Sequence, residues 1–225
     1  MDINKERYSF SDFCEIIETL RSPNGCSWDK EQTHESLKKN LIEESYEYID
    51  ALCEGNKMKM CDELGDVLLQ IVMNAQIAKE SEDFTIDDVI DTISKKMIRR
   101  HPHVFGDVQD QSVSGILTRW EEIKKGEKKE EYSLKSTAKY LPSVLRMSIL
   151  AEKSKKMHKN EIIFSKNIDK LWEMVDNIRR AEYSSTEDEL CEMMTLLAEM
   201  FVAKKVDLET AMYQQNEKYI ARFEF

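Results

Sequence analysis

Four carboxylates stand in two pairs, Glu44 with Glu47 and Glu63 with Asp66, each pair three residues apart. On a helix that spacing places both acids on one side, and like charges so placed repel by roughly 0.2–0.5 kcal/mol per pair. Each pair also borders an apolar stripe: Leu37, Leu41, Tyr48 and Leu52 beside Glu44, and Met60, Leu64, Val67 and Ile71 beside Glu63. If the two helices pack as neighbours with those stripes inward, four acids converge where water is partly excluded. Unpaired anions resist such desolvation. A hard divalent cation resolves the conflict, and ligands that are all oxygen suit Mg²⁺ or Mn²⁺ best. Zinc would prefer His or Cys, and a di-iron bundle would need Glu-x-x-His, which neither segment has. Two surface helices with acidic edges would show the same pattern, so spacing alone leaves both readings open.

Basic residues bear on that choice. Lys96 and Arg100 lie one helical turn apart, a spacing suited to phosphate oxygens, and Trp120 with Lys124 repeats it. Either pair alone fits a solvated helix face equally well. Acids for a metal together with bases for phosphate form the combination expected for phosphoanhydride hydrolysis, where a metal lowers the pKa of water and neutralises phosphate charge.

Helices must carry these residues. With 6 Gly and 3 Pro among 225 residues the chain has few helix breakers, and no period-two run persists long enough for a strand. Phe10, Phe13, Ile16, Ile17 and Leu20 predict a helix over about 9–21, ended by "SPNGCSWD". A second helix is expected from a Thr33 cap to Cys53, and a third over about Met58 to Lys79. A fourth begins at Thr85 with Asp88 as its capping partner and stops before His101-Pro102. His101 and His103 are read as part of that stop, and Cys26 and Trp28 as a packed turn.

The net charge of −11 argues against a general nucleic-acid or anionic-membrane surface. No apolar run approaches a membrane span, and "MDINKERYSF" is no signal peptide. Five cysteines without a CxxC fit reduced thiols in a cytoplasmic protein.

The pattern recurs in the second half. "DELGDVLLQIVMNAQIA" (Asp62 to Ala78) lines up with "DELCEMMTLLAEMFVA" (Asp188 to Ala203), and "FTIDDVI" with "VDLETAM". The interval from Thr85 to Lys96 equals that from Asp207 to Lys218, and Arg100 and Arg222 follow one turn later in each half. Three such matches in one order argue for an internal duplication. The charged run from Lys124 to Ser136 serves as a linker candidate or a solvated helix end. In the second half Asn177 and Arg180 fall at the wheel positions of Glu44 and Glu47, while Glu189 and Glu192 persist. Arg180 is therefore expected to pair with Glu189 or Glu192 as a built-in cation, leaving that repeat silent.

The segments "CSWDKEQTHESL", "LIEESYEYIDAL", "ELGDVLLQ", "KKMIRRHPHVFGD" and "WEEIK" resemble, in family order from Leu20 to Lys124, the MazG family of nucleoside triphosphate pyrophosphohydrolases. "LPSVLRMSILAEKSKKM" and "NEKYIARF" resemble its C-terminal repeat more loosely. The resemblance implies an all-α helical bundle of two tandem repeats that forms a homodimer. The expected division is a catalytic domain over 1–125, a linker over 126–136 and a degenerate repeat over 137–225. It further implies Mg²⁺, with Mn²⁺ able to substitute, held by Glu44, Glu47, Glu63 and Asp66, with Glu43 completing the Glu-Glu-x-x-Glu motif. Lys96, Arg100, Trp120 and Lys124 match positions associated with triphosphate or nucleotide binding. The implied reaction is water attack on the α-phosphate, giving a nucleoside monophosphate and pyrophosphate. Ser27 stands where the family usually has proline, a local change in the turn. A catalytically silent nucleotide-binding regulator is the rival reading, and pyrophosphate release separates the two. A purely acidic interaction module would leave Lys96 and Arg100 unexplained.

Overall fold

The computed structural model describes residues 3–106, 112–127, 133–158, 164–181 and 185–222, without the side chains of Lys124, Lys125 and His158. Within them the chain is helical and contains no strand. It packs as two units that divide between Ile123 and Lys124.

Capping side chains set where the helices of the first unit begin. Ser9 and Asp12 form a reciprocal box ahead of α1 (Phe10–Arg21), and Thr85 and Asp88 do the same for α5 (Ile86–Arg100). In the latter, Thr85 N–H donates to Asp88 at 2.8 Å and Asp88 N–H to Thr85 at 3.3 Å, satisfying two helix-end donors. Between α1 and the short α2 (Ser27–Glu31) the chain turns through Gly25, where a Cβ would lie 2.1 Å from the Leu20 carbonyl oxygen. Only glycine fits that approach. Cys26 is half-buried beside it, but Trp28 stays exposed, so its indole does not pack the turn as expected.

The long elements are α3 (Leu37–Cys53) and α4 (Lys57–Glu80), which pack on one another as a hairpin. The second helix starts a turn later than the Thr33 cap predicted. Thr33 and Ser36 instead bond each other's backbone N–H, at 3.0 and 3.1 Å, and close a separate turn. Helices α1 and α5 both pack on α4, and α6 (Pro102–Phe105) follows α5 with proline at its first turn. α7 (Val113–Glu127) carries the chain across the boundary between the units, so the charged run expected as a linker is helical as far as Glu127. Residues 128–132 of that run lie outside the described residues.

The core of the first unit is Ile17, Leu37, Val72, Met73 and Ile77, with Phe13, Leu20, Leu69 and Ile86 packed against it. It lies on only one side of the hairpin. Leu41, Ile49 and Leu52 of α3 and Leu64, Leu68 and Ile71 of α4 remain between 37% and 50% exposed. The stripes that run beside the carboxylates are thus not wholly core-facing within this chain.

The second unit opens with a 3-10 turn at Leu134–Ser136, then α8 (Ser143–His158), α9 (Phe164–Arg180), α10 (Glu187–Ala203) and α11 (Leu208–Ile220). α10 packs on α8 and α9, and α11 on α8 and α10. Its buried side chains include Ala151, Leu196, Ala198, Val202 and Leu208. The ends of α4 and α10 match in detail: Glu82 and Lys205 both take a left-handed backbone, with φ of 59° and 57°. Asp83 N–H then donates to Ala78 and Val206 N–H to Phe201, each at 3.0 Å, the wide bond that closes a helix C-terminus. All five cysteines are free thiols, and no helix among the described residues is long and apolar enough to cross a membrane.

Candidate metal centre

The hairpin brings three of the predicted carboxylates together. Oxygens of Glu44 on α3 and of Glu63 and Asp66 on α4 all lie within 4.8 Å of one another, each residue half-buried. Antiparallel packing produces this, because an i, i+3 pair on α4 faces the single turn of α3 that holds Glu44. Among the described residues no second group of three potential ligands meets the same condition.

The electrostatics are those of anions short of a counter-charge. Burial pushes the Glu44 carboxyl above its ordinary value, and Asp66, Glu47 and Glu63 push it further, together with a hydrogen bond shared with Glu47. Glu63 is raised by partial desolvation first and by the Glu47 charge next. Lys59, one turn before Glu63, opposes that rise, a neighbour readable from its i, i+4 spacing but not singled out in the sequence. It also lies 3.5 Å from Glu54. A cluster with no nitrogen or sulfur donor, whose members raise each other's proton affinity, suits a hard divalent cation.

Glu47 is exposed and stands at the margin, near enough to act on Glu44 and Glu63 yet outside the close trio. Glu43 is exposed as well, and its carboxylate lies 3.7 Å from Lys39 one turn earlier on α3. On α5, Lys96 is half-buried and Arg100 is buried, with its guanidinium 5.2 Å from the Trp120 ring centroid. Arg100 and Trp120 thus come together as a cation–π pair across α5 and α7. The side chain of Lys124 lies outside the described residues. His101 Nδ1 meets the Met97 carbonyl at 2.6 Å, a bond that finishes α5 and accords with a helix stop.

The second hairpin is built differently from the expectation. Arg180 does not reach Glu189 or Glu192; it pairs with Asp176 on its own helix at 2.6 Å. An i, i+4 partner is closer to hand than one across the hairpin. Glu189 is engaged in the capping box of α10 with Thr186. The cation that does cross the hairpin is Lys170, which donates to Glu192.

Comparison with known proteins bears on the family. Residues 32–105, which span the hairpin and α5, match the MazG nucleotide pyrophosphohydrolase domain. A Thermotoga maritima protein described as nucleoside triphosphate pyrophosphohydrolase/pyrophosphatase MazG is 38% identical over 217 residues, covering 95% of this chain and 84% of its own length. The nucleoside triphosphate pyrophosphohydrolase of Escherichia coli K12 is 32% identical over 218 residues, covering 92% of this chain and 83% of its own. An uncharacterized Bacillus subtilis protein, YabN, is 52% identical over 145 residues, which is 64% of this chain and 30% of YabN. With the acidic hairpin in the matched region and two relatives aligned over most of both chains, this chain belongs to the MazG family.

Proposed function

We propose that this protein is a cytoplasmic nucleoside triphosphate pyrophosphohydrolase, which converts (d)NTPs to (d)NMP and pyrophosphate by water attack on the α-phosphate. The observation that carries the reading is the half-buried trio of Glu44, Glu63 and Asp66 within 4.8 Å. These residues, with Glu47 at their margin and Glu43 behind it, would hold Mg²⁺, or Mn²⁺ in its place. When bound, the metal supplies charge neutralisation on the phosphates and a lowered pKa for the attacking water. Glu44 and its neighbours orient the reacting centre and accept the proton that water releases. Lys96 and Arg100 pair with phosphate oxygens, and Trp120 holds the Arg100 guanidinium in place. Lys124 assists on the nucleotide side.

Activity resides in the first unit, residues 126–136 connect the two, and the second unit is a degenerate repeat. The protein is a homodimer, in which the exposed stripes on α3 and α4 are covered by a second copy. Five free thiols accord with a reducing compartment.

The test is product analysis with ATP and dATP in Mg²⁺. Monophosphate and pyrophosphate are expected, without a diphosphate intermediate. Accumulation of ADP and orthophosphate would place attack at the γ-phosphate and overturn the reading. Glu44→Gln and Asp66→Asn should each lose most turnover while keeping the helical circular-dichroism spectrum.

A further inference from the structure

A polar row climbs α4 from the carboxylate trio. Asp66, Gln70 and Asn74 follow one another at four-residue steps, so successive members lie one turn apart on nearly one side of the helix. Their neighbours Val72, Met73, Ala75 and Ile77 are buried and apolar, and Gln70 itself is only 4% exposed. Polar groups in such surroundings weaken packing unless they are used. The second unit lacks them. The two units can be aligned at Asp62 with Asp188, or at Ala78 with Phe201, where the helix ends match. In either register Gln70 falls opposite an apolar residue, Leu196 or Met193, and so does Asn74, opposite Met200 or Leu197. The fold therefore does not require the two amides; they accompany the unit that has the carboxylate trio.

The row ends on a histidine whose ring is held by hydrogen bonds in series. Asn74 Nδ2 donates to the Gln70 carbonyl at 2.8 Å, and a carbonyl only accepts, so the orientation of this amide is fixed. Asn74 Oδ1 is then left facing His34 Nδ1 at 2.7 Å. An amide oxygen also only accepts, so the proton of the neutral imidazole sits on Nδ1 and Nε2 keeps its lone pair. His34 is exposed, and its Nε2 has no hydrogen-bond partner among the described residues. From Asp66 to Asn74 the helix rises about 12 Å. A nucleotide spans a comparable length from its α-phosphate to the far edge of its base.

We infer that His34 reads the nucleobase of the triphosphate, which rests on the hydrolase function proposed for the carboxylate trio. Nε2 accepts a hydrogen bond from an exocyclic amine of the base. An oxo group at the same place would set lone pair against lone pair, so the site favours adenine over hypoxanthine and cytosine over uracil. Asn74 acts through His34, by fixing which ring nitrogen carries the proton.

Steady-state kinetics of the full chain with ATP, ITP, CTP and UTP in Mg²⁺, read as pyrophosphate release, test the assignment. Wild-type kcat/KM should be about tenfold higher for each amino base than for its oxo counterpart, the size of one hydrogen bond gained and one repulsion avoided. The difference should lie in KM. His34→Leu should lower kcat/KM for ATP and CTP toward the values for ITP and UTP. Asn74→Leu, a side chain of the kind the second unit has at that place, should reduce the preference with His34 still present. A histidine that only pins the loop before α3 to α4 gives a different result: both variants lose melting temperature and slow all four substrates equally. That outcome overturns the inference. The wild-type comparison needs no variant to fold, and equal or reversed kcat/KM within the pairs overturns the inference while leaving the hydrolase function standing. No turnover of any triphosphate overturns both.

Discussion

Lys170 on α9 donates to Glu192 on α10, so the second hairpin carries an ammonium on the acid that corresponds to Asp66 of the first. That bond to Glu192 is also the leading cause of the raised Lys170 pKa. A cation already seated there opposes a divalent ion by Coulomb repulsion.

Catalysis should therefore be insensitive to Glu192. Glu192→Gln is expected to hydrolyse triphosphates at the wild-type rate, whereas Asp66→Asn loses most turnover. Steady-state kinetics on the two variants at saturating Mg²⁺ check this, and equal losses would bring the second unit into the reaction. Lys170→Gln should shift stability only slightly, because both side chains are about half exposed, at 52% and 51%.

Metal binding should couple to pH with a defined sign. The Glu44 and Glu63 carboxyls are raised above the ordinary glutamate value of 4.5 in the metal-free protein. A raised carboxyl favours the folded state when protonated, so that stability is present below 4.5 and lost as pH rises through the folded-state values. Mg²⁺ should restore it by replacing the proton. Thermal shift on adding Mg²⁺ is expected to be larger at pH 7 than at pH 5, and a shift independent of pH would contradict the assignment.

Arg21 fastens the end of α1 to the end of α4. Its guanidinium donates to both oxygens of Glu80, at 2.7 and 2.8 Å, and also to the carbonyls of Asp29 and Gln32. The Arg21 hydrogen bond holds the Glu80 carboxyl below its ordinary 4.5. Stability from this pair is present above 4.5 and lost as pH falls through the lowered value. Glu80 is 38% exposed, so solvent screening limits Glu80→Gln to about 1 kcal/mol. Arg21→Ala, which also strands two carbonyls, should cost roughly 2–3 kcal/mol. Urea denaturation of both variants at pH 7 and pH 4 gives the comparison.

The apolar stripes of α3 and α4 predict self-association. Light scattering at micromolar concentration should give the mass of two chains, and Leu68→Glu, on a side chain 37% exposed, should shift it toward one. A sharp single-chain mass for the wild type would remove the homodimer.

Helix existence and the acidic pairs were legible because both follow from local spacing. Thr85 and Asp88 announce a capping box on their own, and Glu63 and Asp66 need only 3.6 residues per turn to share a face. What failed needed distances that spacing does not supply. Thr33 and Ser36 each have a hydroxyl able to bond the other's backbone, and nothing local decides between a cap and a closed turn. The stripe of Leu41, Leu52 and Leu64 shows which face is apolar but not what covers it. Arg180 shares a helix face with the right neighbours, yet a carboxylate one turn away on the same helix competes better than one across the hairpin. Finding Lys170 required the axial register of α9 against α10, which a helical wheel projects away.

The division at Ile123 and Lys124 has a consequence for calorimetry. The two units have their own buried side chains, Ile17, Leu37 and Val72 in one and Leu196, Ala198 and Val202 in the other. Heat need not melt them together, and a single midpoint then describes neither. A ligand stabilises only the transition of the unit it occupies. Scanning calorimetry thereby becomes an address label: Mg²⁺ should move the endotherm of the half that holds the carboxylates and leave the other where it was.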